Sequence, residues 1–371
     1  MPCASRRCPA RSSSARWSWR CGSMKRRSSC RASTPARSRL CARSCSRRSS
    51  SCCPIACSSS RSRDARPRAS APECVVIQAT DSEREVRMAI TITPLRPSIG
   101  AEVRGLDLTG PIGDGDFAKI RQAFYDHDLL VVRGGPFSDD DHIRFSSRFG
   151  ELKKLAYDAY LGDRRPEIFV VSNIKEGERY IGAHDAGMFW HSDGPFLPKP
   201  HGPSALHAIE VPVQDGRVLG DTHFASTAAA YDALPQSMKR RLEGLQAVNS
   251  MLRRFELAAR SGVQDSAATK HSKAQEQEAV HPVVRVHPVT GRKCLFVSDG
   301  YTTRILGLPE DESKALIEEL TQHIVQPQFC YTHSWQLNDL VMWDNCSTQH
   351  KATFDYKLPQ RRLMHRTTLV G

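Results

Sequence analysis

The chain has 371 residues, a formal net charge of +13 at pH 7 and 25% charged residues. The excess positive charge belongs to residues 1–87. They carry 20 of the 53 basic residues and 5 of the 40 acidic ones. Residues 88–371 therefore hold 33 basic and 35 acidic residues, and these charges nearly balance. This balance excludes a strongly basic nucleic-acid-binding surface in residues 88–371, and no apolar run is long enough to cross a membrane.

The first 87 residues differ in composition from everything that follows. They are rich in Arg and Ser, hold ten of the thirteen cysteines and show no helical or strand periodicity. Such a segment buries too little apolar surface to offset its ordering entropy, so we expect it to be disordered. We interpret it as sequence upstream of the true initiator, Met88. A transit peptide, a disulfide scaffold and a nucleic-acid-binding arm are the alternatives.

Residues 88–371 are expected to form the folded domain, and their cysteines indicate its compartment. Cys294, Cys330 and Cys346 are too far apart in sequence for a zinc knuckle or a C-x-x-C redox pair. Isolated thiols suit a reducing environment, so we expect a cytoplasmic protein.

The first part of the domain is predicted to alternate strands and helices. Ser138 is predicted to cap the second helix, with Asp141 at its third position and Gly150 at its end. The elements predicted from apolar periodicity are a strand at 89–95, a helix at 116–124, a strand at 129–132, a helix from 139 and a strand at 168–171.

Trp190-His191-Ser192-Asp193 is the segment with the clearest metal chemistry. Side chains two apart in an extended strand lie on the same face, so His191 and Asp193 are predicted to project together. An imidazole beside a carboxylate supplies two ligands of the two-His-one-carboxylate triad of non-haem Fe(II). The polar stretch 175–187 is predicted to border a substrate pocket, with His184 as an ordinary loop residue.

The rest of the chain is predicted to be mainly β. Short strand patterns with turn signals and no βαβ alternation indicate a β-sandwich or jelly roll, in which strands distant in sequence become neighbours. A polar stretch at 257–280 is predicted to be disordered or a lid. The further predicted elements are strands at 204–211, 220–224, 283–286, 293–297, 328–331, 339–343 and 363–370, and helices at 227–234, at 238–245 and from Pro309.

The closing segment carries His350 and two arginines at strand spacing. If residues 362–368 form a strand, Arg362 and Arg366 lie on one face and His365 on the other. A buried guanidinium without an anionic partner is strongly destabilising, so two inward arginines predict two bound anions. The planar fork of arginine matches a carboxylate or a sulfonate. Internal salt bridges to Asp or Glu are the alternative.

Four motifs, in order and combination, resemble the TauD/TfdA family of taurine and aryloxyalkanoate dioxygenases. They are Trp-His-Ser-Asp (190–193), Gly-Asp-Thr (220–222), Trp-Asp-Asn…Thr-Gln-His (343–350) and Arg-Arg-Leu-Met-His-Arg-Thr (361–367). The resemblance, which covers about residues 90–369, implies a mainly β fold with flanking helices and a double-stranded β-helix core (a cupin-like jelly roll). It also implies an Fe(II)- and 2-oxoglutarate-dependent dioxygenase that consumes O2 and releases succinate and CO2.

The resemblance further implies roles for individual residues. The implied iron ligands are His191, Asp193 and His350. Arg362, assisted by Thr222, would bind the distal carboxylate of 2-oxoglutarate, and Arg366 would face the anionic group of the substrate. Lys153, which follows Phe-Gly-Glu-Leu, would also meet that anion. The chain departs from the family in a longer loop at 213–219, where a tighter Gly-Gly turn is common.

The expected activity is hydroxylation of a small anionic organic substrate, namely a sulfonate, a sulfate ester or an aryloxyalkanoate-like carboxylate. A non-catalytic anion-binding β-barrel and a zinc-dependent hydrolase are the alternatives. We expect a homo-oligomer without nucleic-acid or membrane partners. The remaining histidines are interpreted as satisfied or exposed residues rather than ligands; they include His201, His207, His223, His281, His287, His323 and His333.

Overall fold

A computed structural model of the protein describes residues 89–154, 165–262 and 277–371. The extension predicted at 1–87 lies outside the described residues, and so does the middle of the polar stretch predicted at 257–280. Within the described ranges, no helix is long and apolar enough to cross a membrane.

The described residues form mainly short strands. In chain order the strands are β1 (Thr91–Pro94), β2 (Ala101–Arg104), β3 (Leu129–Val132), β4 (Phe169–Ser172), β5 (Lys175–Glu176), β6 (Arg179–Tyr180), β7 (Ser204–Glu210), β8 (Val213–Gln214), β9 (Arg217–Val218), β10 (Thr222–Ser226), β11 (Gln246–Ser250), β12 (Glu278–Pro282), β13 (Val284–Val286), β14 (Lys293–Leu295), β15 (Thr302–Ile305), β16 (Cys330–His333), β17 (Leu340–Trp343), β18 (Thr348–Ala352) and β19 (Leu363–Thr368).

Helices flank these strands. They are α1 (Asp114–His127), α2 (Asp139–Ser147), α3 (Thr227–Asp232), α4 (Gln236–Leu242), α5 (Met251–Arg260) and α6 (Glu310–Ile324). The predicted cap of α2 is confirmed, because the Ser138 hydroxyl accepts from the Asp141 backbone N–H and the Asp141 carboxylate accepts from the Ser138 backbone N–H. The helix ends at Ser147, before Gly150.

The strands assemble into one large sheet and several small ones. The seven-stranded sheet has the order β1-β2-β3-β17-β7-β19-β4, and a three-stranded sheet has the order β16-β10-β18. Another three-stranded sheet joins β12, β11 and β15. The expectation of a mainly β protein with flanking helices is confirmed.

The central strands β3 and β17 of the large sheet are buried on both faces, which explains why their residues are continuously apolar. On β3, Leu130 and Val132 pack in a cluster with Phe124 of α1 and Phe145 of α2. Their neighbours Leu129 and Val131 belong to another cluster that includes Phe224 of β10. Because successive side chains of a strand alternate faces, one side of the sheet packs on helices and the other faces the β16-β10-β18 sheet.

The prediction of disorder or a lid at 257–280 is wrong at both ends of that range. Residues 257–260 belong to α5, which buries Phe255 and Ala258, and residues 278–280 belong to β12. The apolar residues of α5 recur at helical spacing, but arginines between them hide the pattern from a hydropathy-based prediction.

The long loop noted at 213–219 is a β-hairpin. Strands β8 and β9 pair with each other, and the turn between them consists of Asp215 and Gly216, both of which have positive φ. Two successive positive φ values are typical of the tight turn that joins antiparallel strands, and they favour the Asp-Gly pair. The hairpin therefore accounts for the extra length before Gly220.

Candidate metal and substrate site

His191, Asp193 and His350 come together although 157 residues separate the last two. One potential ligand atom from each lies within 4.8 Å of the others, and all three residues are buried. The prediction of a strand around His191 is wrong. This segment makes a single bridge, in which the backbone N–H groups of His191 and His350 each donate to the carbonyl of the other, at 3.1 and 2.8 Å. That bridge is enough to align the two imidazoles.

The surroundings of both imidazoles favour the neutral form, which is the form that binds a metal. Burial lowers the pKa of His191 and of His350, although Asp193 opposes this effect. The backbone carbonyl of Phe189 accepts from Nδ1 of His191 at 2.7 Å, which leaves Nε2 with the free lone pair, 3.8 Å from Asp193. Nδ1 of His350 is buried without a hydrogen-bond partner in the described part of the chain.

Asp193 is held as a carboxylate by donors on both of its oxygens. Ser204 donates to Oδ2 at 2.8 Å and Arg366 donates to Oδ1 at 3.0 Å. The backbone N–H of Asp193 donates to Asn345 at 3.0 Å. Burial raises the pKa of Asp193, but the positive charge of Arg366 holds it well below its ordinary value. Two neutral imidazoles and an ionised carboxylate are the donor set of a non-haem Fe(II) site, so these residues fit the metal.

A cavity of about 200 Å³ opens beside this triad, between the seven-stranded sheet and the β16-β10-β18 sheet. The polar stretch 175–187 was predicted to border a substrate pocket, and its residues Asp185, Ala186 and Gly187 line this cavity. Much of the wall is apolar, and its larger apolar residues are Phe169, Phe196, Leu206, Met251, Phe255, Tyr301 and Trp343.

Arg362 and Thr222 line the same cavity. Arg362 is 3% exposed, its Nε has no hydrogen-bond partner, and it forms no ion pair with any carboxylate in the described ranges. Its backbone is fixed on both sides, because its N–H donates to Asn173 and its carbonyl accepts from Ser172. The Thr222 hydroxyl accepts from the indole N–H of Trp335 at 3.0 Å. A buried cation is therefore available for an anion from outside the chain.

Arg366 also faces the cavity, but it already has an anionic partner. Its Nη1 donates to Asp193 and its guanidinium lies 4.8 Å from the centre of the Phe169 ring, while Nε is buried without a partner. The internal salt bridge considered as an alternative therefore exists for Arg366. His365, between the two arginines, points to the opposite face as predicted and contacts Asp139 of α2.

His201 was interpreted from the sequence as a histidine without a role in the site. It lines the cavity, and its Nε2 lies 2.6 Å from Nζ of Lys153, a residue that the resemblance had implied at the substrate anion. Burial lowers the pKa of His201 to about 4 and also lowers the pKa of Lys153, where Arg366 adds to the effect. Spacing in the sequence gives no signal for a contact between residues 153 and 201.

A second buried ion pair closes another side of the cavity. Arg254 of α5 donates to Asp185 at 2.9 Å, and both side chains are largely buried. The sequence interpretation missed this pair because α5 itself was not predicted. His184, interpreted as an ordinary loop residue, stacks on Tyr180 with ring centres 3.9 Å apart and does not line the cavity.

Comparison with known proteins identifies relatives of this architecture. The profile described as "Taurine catabolism dioxygenase TauD, TfdA family" matches residues 91–368. The alpha-ketoglutarate-dependent 2,4-dichlorophenoxyacetate dioxygenase of Cupriavidus pinatubonensis is 33% identical over 300 residues, which cover 76% of this chain and 98% of that protein.

Two solved structures resemble the fold. A taurine dioxygenase from Burkholderia xenovorans superposes with a TM-score of 0.62 at 29% identity and covers 76% of this chain and 89% of that one. AAD-2, solved with Mn(II) and N-oxalylglycine, superposes with a TM-score of 0.64 at 29% identity and covers 76% and 98%. The family resemblance inferred from the four motifs is confirmed, and the chain belongs to the TauD/TfdA family of dioxygenases.

Proposed function

We propose that this protein is an Fe(II)- and 2-oxoglutarate-dependent dioxygenase that hydroxylates a small anionic organic substrate and releases succinate and CO2. The observation that carries the proposal is the buried His191-Asp193-His350 cluster, which shares one cavity with the guanidinium groups of Arg362 and Arg366. The relatives reported above are dioxygenases, which favours this function over a non-catalytic barrel or a zinc hydrolase.

Each part of the cavity has a distinct task in this proposal. His191, Asp193 and His350 hold the metal, and Arg362 with Thr222 binds the distal carboxylate of 2-oxoglutarate. When bound, Fe(II) and 2-oxoglutarate supply oxidising chemistry that uses O2 to insert one oxygen atom into a substrate C–H bond. The apolar wall excludes water and fixes which C–H bond faces the metal position.

The substrate class follows from the two kinds of surface in the cavity. Arg366 lines the cavity and provides a cationic end, and Lys153 contacts the lining residue His201. We therefore propose that the substrate carries an anionic group, which is a sulfonate, a sulfate ester or an aryloxyalkanoate-like carboxylate. Phe169, Leu206 and Phe255 provide apolar contacts for the organic body. The relatives named for 2,4-dichlorophenoxyacetate and taurine carry the names of molecules with such anionic groups, a carboxylate and a sulfonate respectively.

The architecture and cellular context are parts of the same proposal. The seven-stranded sheet and the β16-β10-β18 sheet would form the double-stranded β-helix core, with the metal between them. We further propose a cytoplasmic homo-oligomer, which size-exclusion chromatography with light scattering would test through the mass of the purified protein.

The function is tested by succinate release. Purified protein with Fe(II), ascorbate and 2-oxoglutarate is assayed with a panel of alkylsulfonates, sulfate esters and aryloxyalkanoates. At least one class should stimulate 2-oxoglutarate turnover. Alanine at His191, Asp193 or His350 should abolish that turnover and weaken Fe(II) binding while the circular dichroism spectrum stays unchanged.

A matched control is His223→Ala, which removes a histidine of β10 that hydrogen-bonds Thr332 and Thr353 instead of lining the cavity. This variant should retain wild-type turnover. A triad variant that keeps the wild-type affinity for iron removes its residue from the proposed ligand set. Absence of both iron binding and 2-oxoglutarate turnover in the wild-type protein rejects the function.

A further inference from the structure

Two thiols that are distant in sequence meet at the turn that joins β17 to β18. Cys294 lies on β14 and is fully buried, whereas Cys346 lies in the turn and is 9% exposed. Both are free thiols, and they are hydrogen-bonded to each other. Sulfur atoms in direct contact already have the mutual orientation that a disulfide requires.

Hydrogen bonds that do not involve the thiols hold the same two segments together. Nε2 of His287, the residue after β13, lies 2.9 Å from Oδ2 of Asp344, and both side chains are buried. Oδ1 of the same carboxylate accepts from the Cys346 backbone N–H at 2.8 Å. Strand β13 pairs in turn with β14, which carries Cys294. The β13-β14 hairpin and the turn at 344–347 therefore pack as one unit that keeps the two sulfurs in contact.

The two thiols differ in acidity and in exposure. The hydrogen bond with Cys294 lowers the pKa of Cys346, and the positive charge of Arg285 adds to this effect, although burial opposes it. The same hydrogen bond raises the pKa of Cys294, and burial adds to it. Because the thiolate is the form that attacks an oxidant, Cys346 is the more reactive residue as well as the more exposed one. Oxidation of Cys346 removes the hydrogen bond that keeps Cys294 protonated, so Cys294 then becomes able to react.

We propose that Cys294 and Cys346 are an oxidative modification site, at which hydrogen peroxide forms a disulfide that lowers the affinity of the protein for Fe(II). The Cys346 thiolate attacks the O–O bond, an S–O bond forms, and hydroxide leaves and becomes water with the proton that Cys346 released. The Cys294 sulfur then attacks the oxidised sulfur, so that the S–S bond forms and the S–O bond breaks. The departing hydroxide takes the Cys294 proton. Two thiols are thus oxidised, and one peroxide is reduced to two molecules of water.

The turn that carries Cys346 also orients a metal ligand. Asn345 accepts from the backbone N–H of Asp193 at 3.0 Å, and its amide donates to the Gly202 carbonyl at 2.7 Å and to the Ser204 hydroxyl at 3.1 Å. The sulfurs of a disulfide lie about 2 Å apart, closer than hydrogen-bonded sulfurs, so the new bond pulls the turn toward β14. Displacement of Asn345 then weakens the support of Asp193. This effect on the metal rests on the proposed function, whereas formation of the disulfide does not.

The test oxidises the metal-free full-length protein, so that iron does not react with the peroxide. The treated protein is desalted and divided between mass spectrometry of its tryptic peptides and anaerobic titration with Fe(II). The digest should contain residues 294–304 joined by a disulfide to residues 315–351. The affinity for Fe(II) should fall about 10- to 100-fold, the range for loss of a contact that orients a metal ligand. Dithiothreitol should remove the cross-link and restore the affinity.

Variants assign the cross-link, because the peptide 315–351 also contains Cys330. Burial raises the pKa of Cys330 to about 11, so Cys330→Ser is the matched control and should respond to peroxide like the wild type. Cys346→Ser and Cys294→Ala should form no cross-link between the two peptides and should keep their Fe(II) affinity after treatment. Each protein is compared with its own untreated sample, which removes any effect of the substitution itself. Oxidation of the cysteines in residues 1–87 is common to all four proteins.

Absence of the cross-link in the treated wild type overturns the proposal, and so does a cross-link that persists in Cys346→Ser. A cross-link that leaves the Fe(II) affinity unchanged overturns the effect on the metal. Failure of the proposed function is recognised separately, because the untreated wild type then binds no Fe(II). The effect on the metal fails with it in that case, while the mass spectrum still decides whether the disulfide forms.

Discussion

Asp193 is the residue on which most hydrogen bonds of the site converge. Ser204 and Arg366 donate to its two oxygens, and Asn345 accepts from its backbone N–H. The partners come from β7, β19 and the turn between β17 and β18, so three parts of the chain orient one carboxylate. A metal ligand held in this way presents a fixed lone-pair direction, which contributes to metal affinity.

Ser204→Ala should therefore weaken Fe(II) binding without unfolding the protein. The Ser204 hydroxyl is buried and donates to Oδ2 of Asp193 at 2.8 Å. Loss of such an outer contact lowers metal affinity by about 10- to 100-fold. Anaerobic Fe(II) titration measures the change. Ser147→Ala, which removes a hydroxyl bonded within α2, is the matched control and should leave the affinity unchanged.

Arg362→Ala should raise the Michaelis constant for 2-oxoglutarate. The residue is buried and forms no ion pair within the described ranges, so the expected carboxylate would be its main anionic partner. Loss of a buried charge-assisted contact weakens binding by about 2–5 kcal/mol, or roughly 30- to several-thousand-fold. Arg362→Lys keeps the positive charge but loses the planar guanidinium. Its Michaelis constant for 2-oxoglutarate should lie between those of the wild type and Arg362→Ala. An unchanged Michaelis constant in Arg362→Ala contradicts the assignment.

Arg366→Ala should leave the chelate absorption band of 2-oxoglutarate nearly intact but uncouple its turnover from the substrate. Its guanidinium is assigned to the substrate anion and also holds Asp193. We therefore expect a weaker response to substrate together with a moderate loss of Fe(II) affinity. Anaerobic titration of 2-oxoglutarate into both arginine variants separates the two roles. Loss of the band in Arg366→Ala and its retention in Arg362→Ala would reverse the assignment.

At the scale of elements, helix α2 covers a cluster of histidines on the face of the large sheet opposite the cavity. His207 stacks on Phe137 with ring centres 3.8 Å apart, and both of its ring nitrogens are buried without partners among the described residues. His142 of α2 is completely buried, and His365 contacts Asp139. Burial of His142 and His207 in their neutral forms ties the stability of the helix-sheet contact to pH.

The stability of the protein should fall as the pH drops below about 6.5. Burial lowers the pKa of His142 to about 3 and that of His207 to about 4, and in each case a neighbouring histidine adds to the effect. Between the ordinary value near 6.5 and these values, the unfolded chain binds protons that the folded chain does not. The free energy of unfolding therefore decreases toward acid pH, by up to about 1.4 kcal/mol per pH unit for each group.

His207→Phe should reduce this acid sensitivity, because phenylalanine keeps the stacking on Phe137 and does not titrate. Urea unfolding at pH 7 and pH 5 measures the free energy of unfolding of each variant. The difference between the two pH values should be smaller in His207→Phe than in the wild type. The control His127→Phe, in the last turn of α1, should keep the wild-type difference. Equal differences in all three proteins would exclude His207 as a source of the pH dependence.

At the scale of the whole molecule, residues 88–371 should suffice for folding and metal binding. The family match begins at residue 91, and the charge imbalance and most cysteines belong to residues 1–87. Expression of Met88–Gly371 alone should yield protein with the same thermal midpoint and Fe(II) affinity as the full chain. Insolubility of this fragment, or loss of its metal binding, would contradict the interpretation of residues 1–87 as dispensable.

The sequence determined the site wherever the chemistry is carried by local motifs. The His-x-Asp segment, His350 and the two arginines four residues apart are visible in the sequence, and the structure brings all five residues to one cavity. Helix α1, strand β3 and the cap of α2 were also predictable, because helical periodicity, an apolar run and a Ser-x-x-Asp box are local signals.

The tertiary structure alone decided the contacts between segments that share no local pattern. The pairing of Lys153 with His201 depends on both segments meeting the end of β19, and the ion pair of Arg254 with Asp185 depends on where α5 lies. Likewise, Arg366 meets Asp193 because β19 pairs with β7, whose Ser204 also donates to Asp193. Strand order and packing set such distances, and neither leaves a period or spacing in the sequence from which they could be predicted.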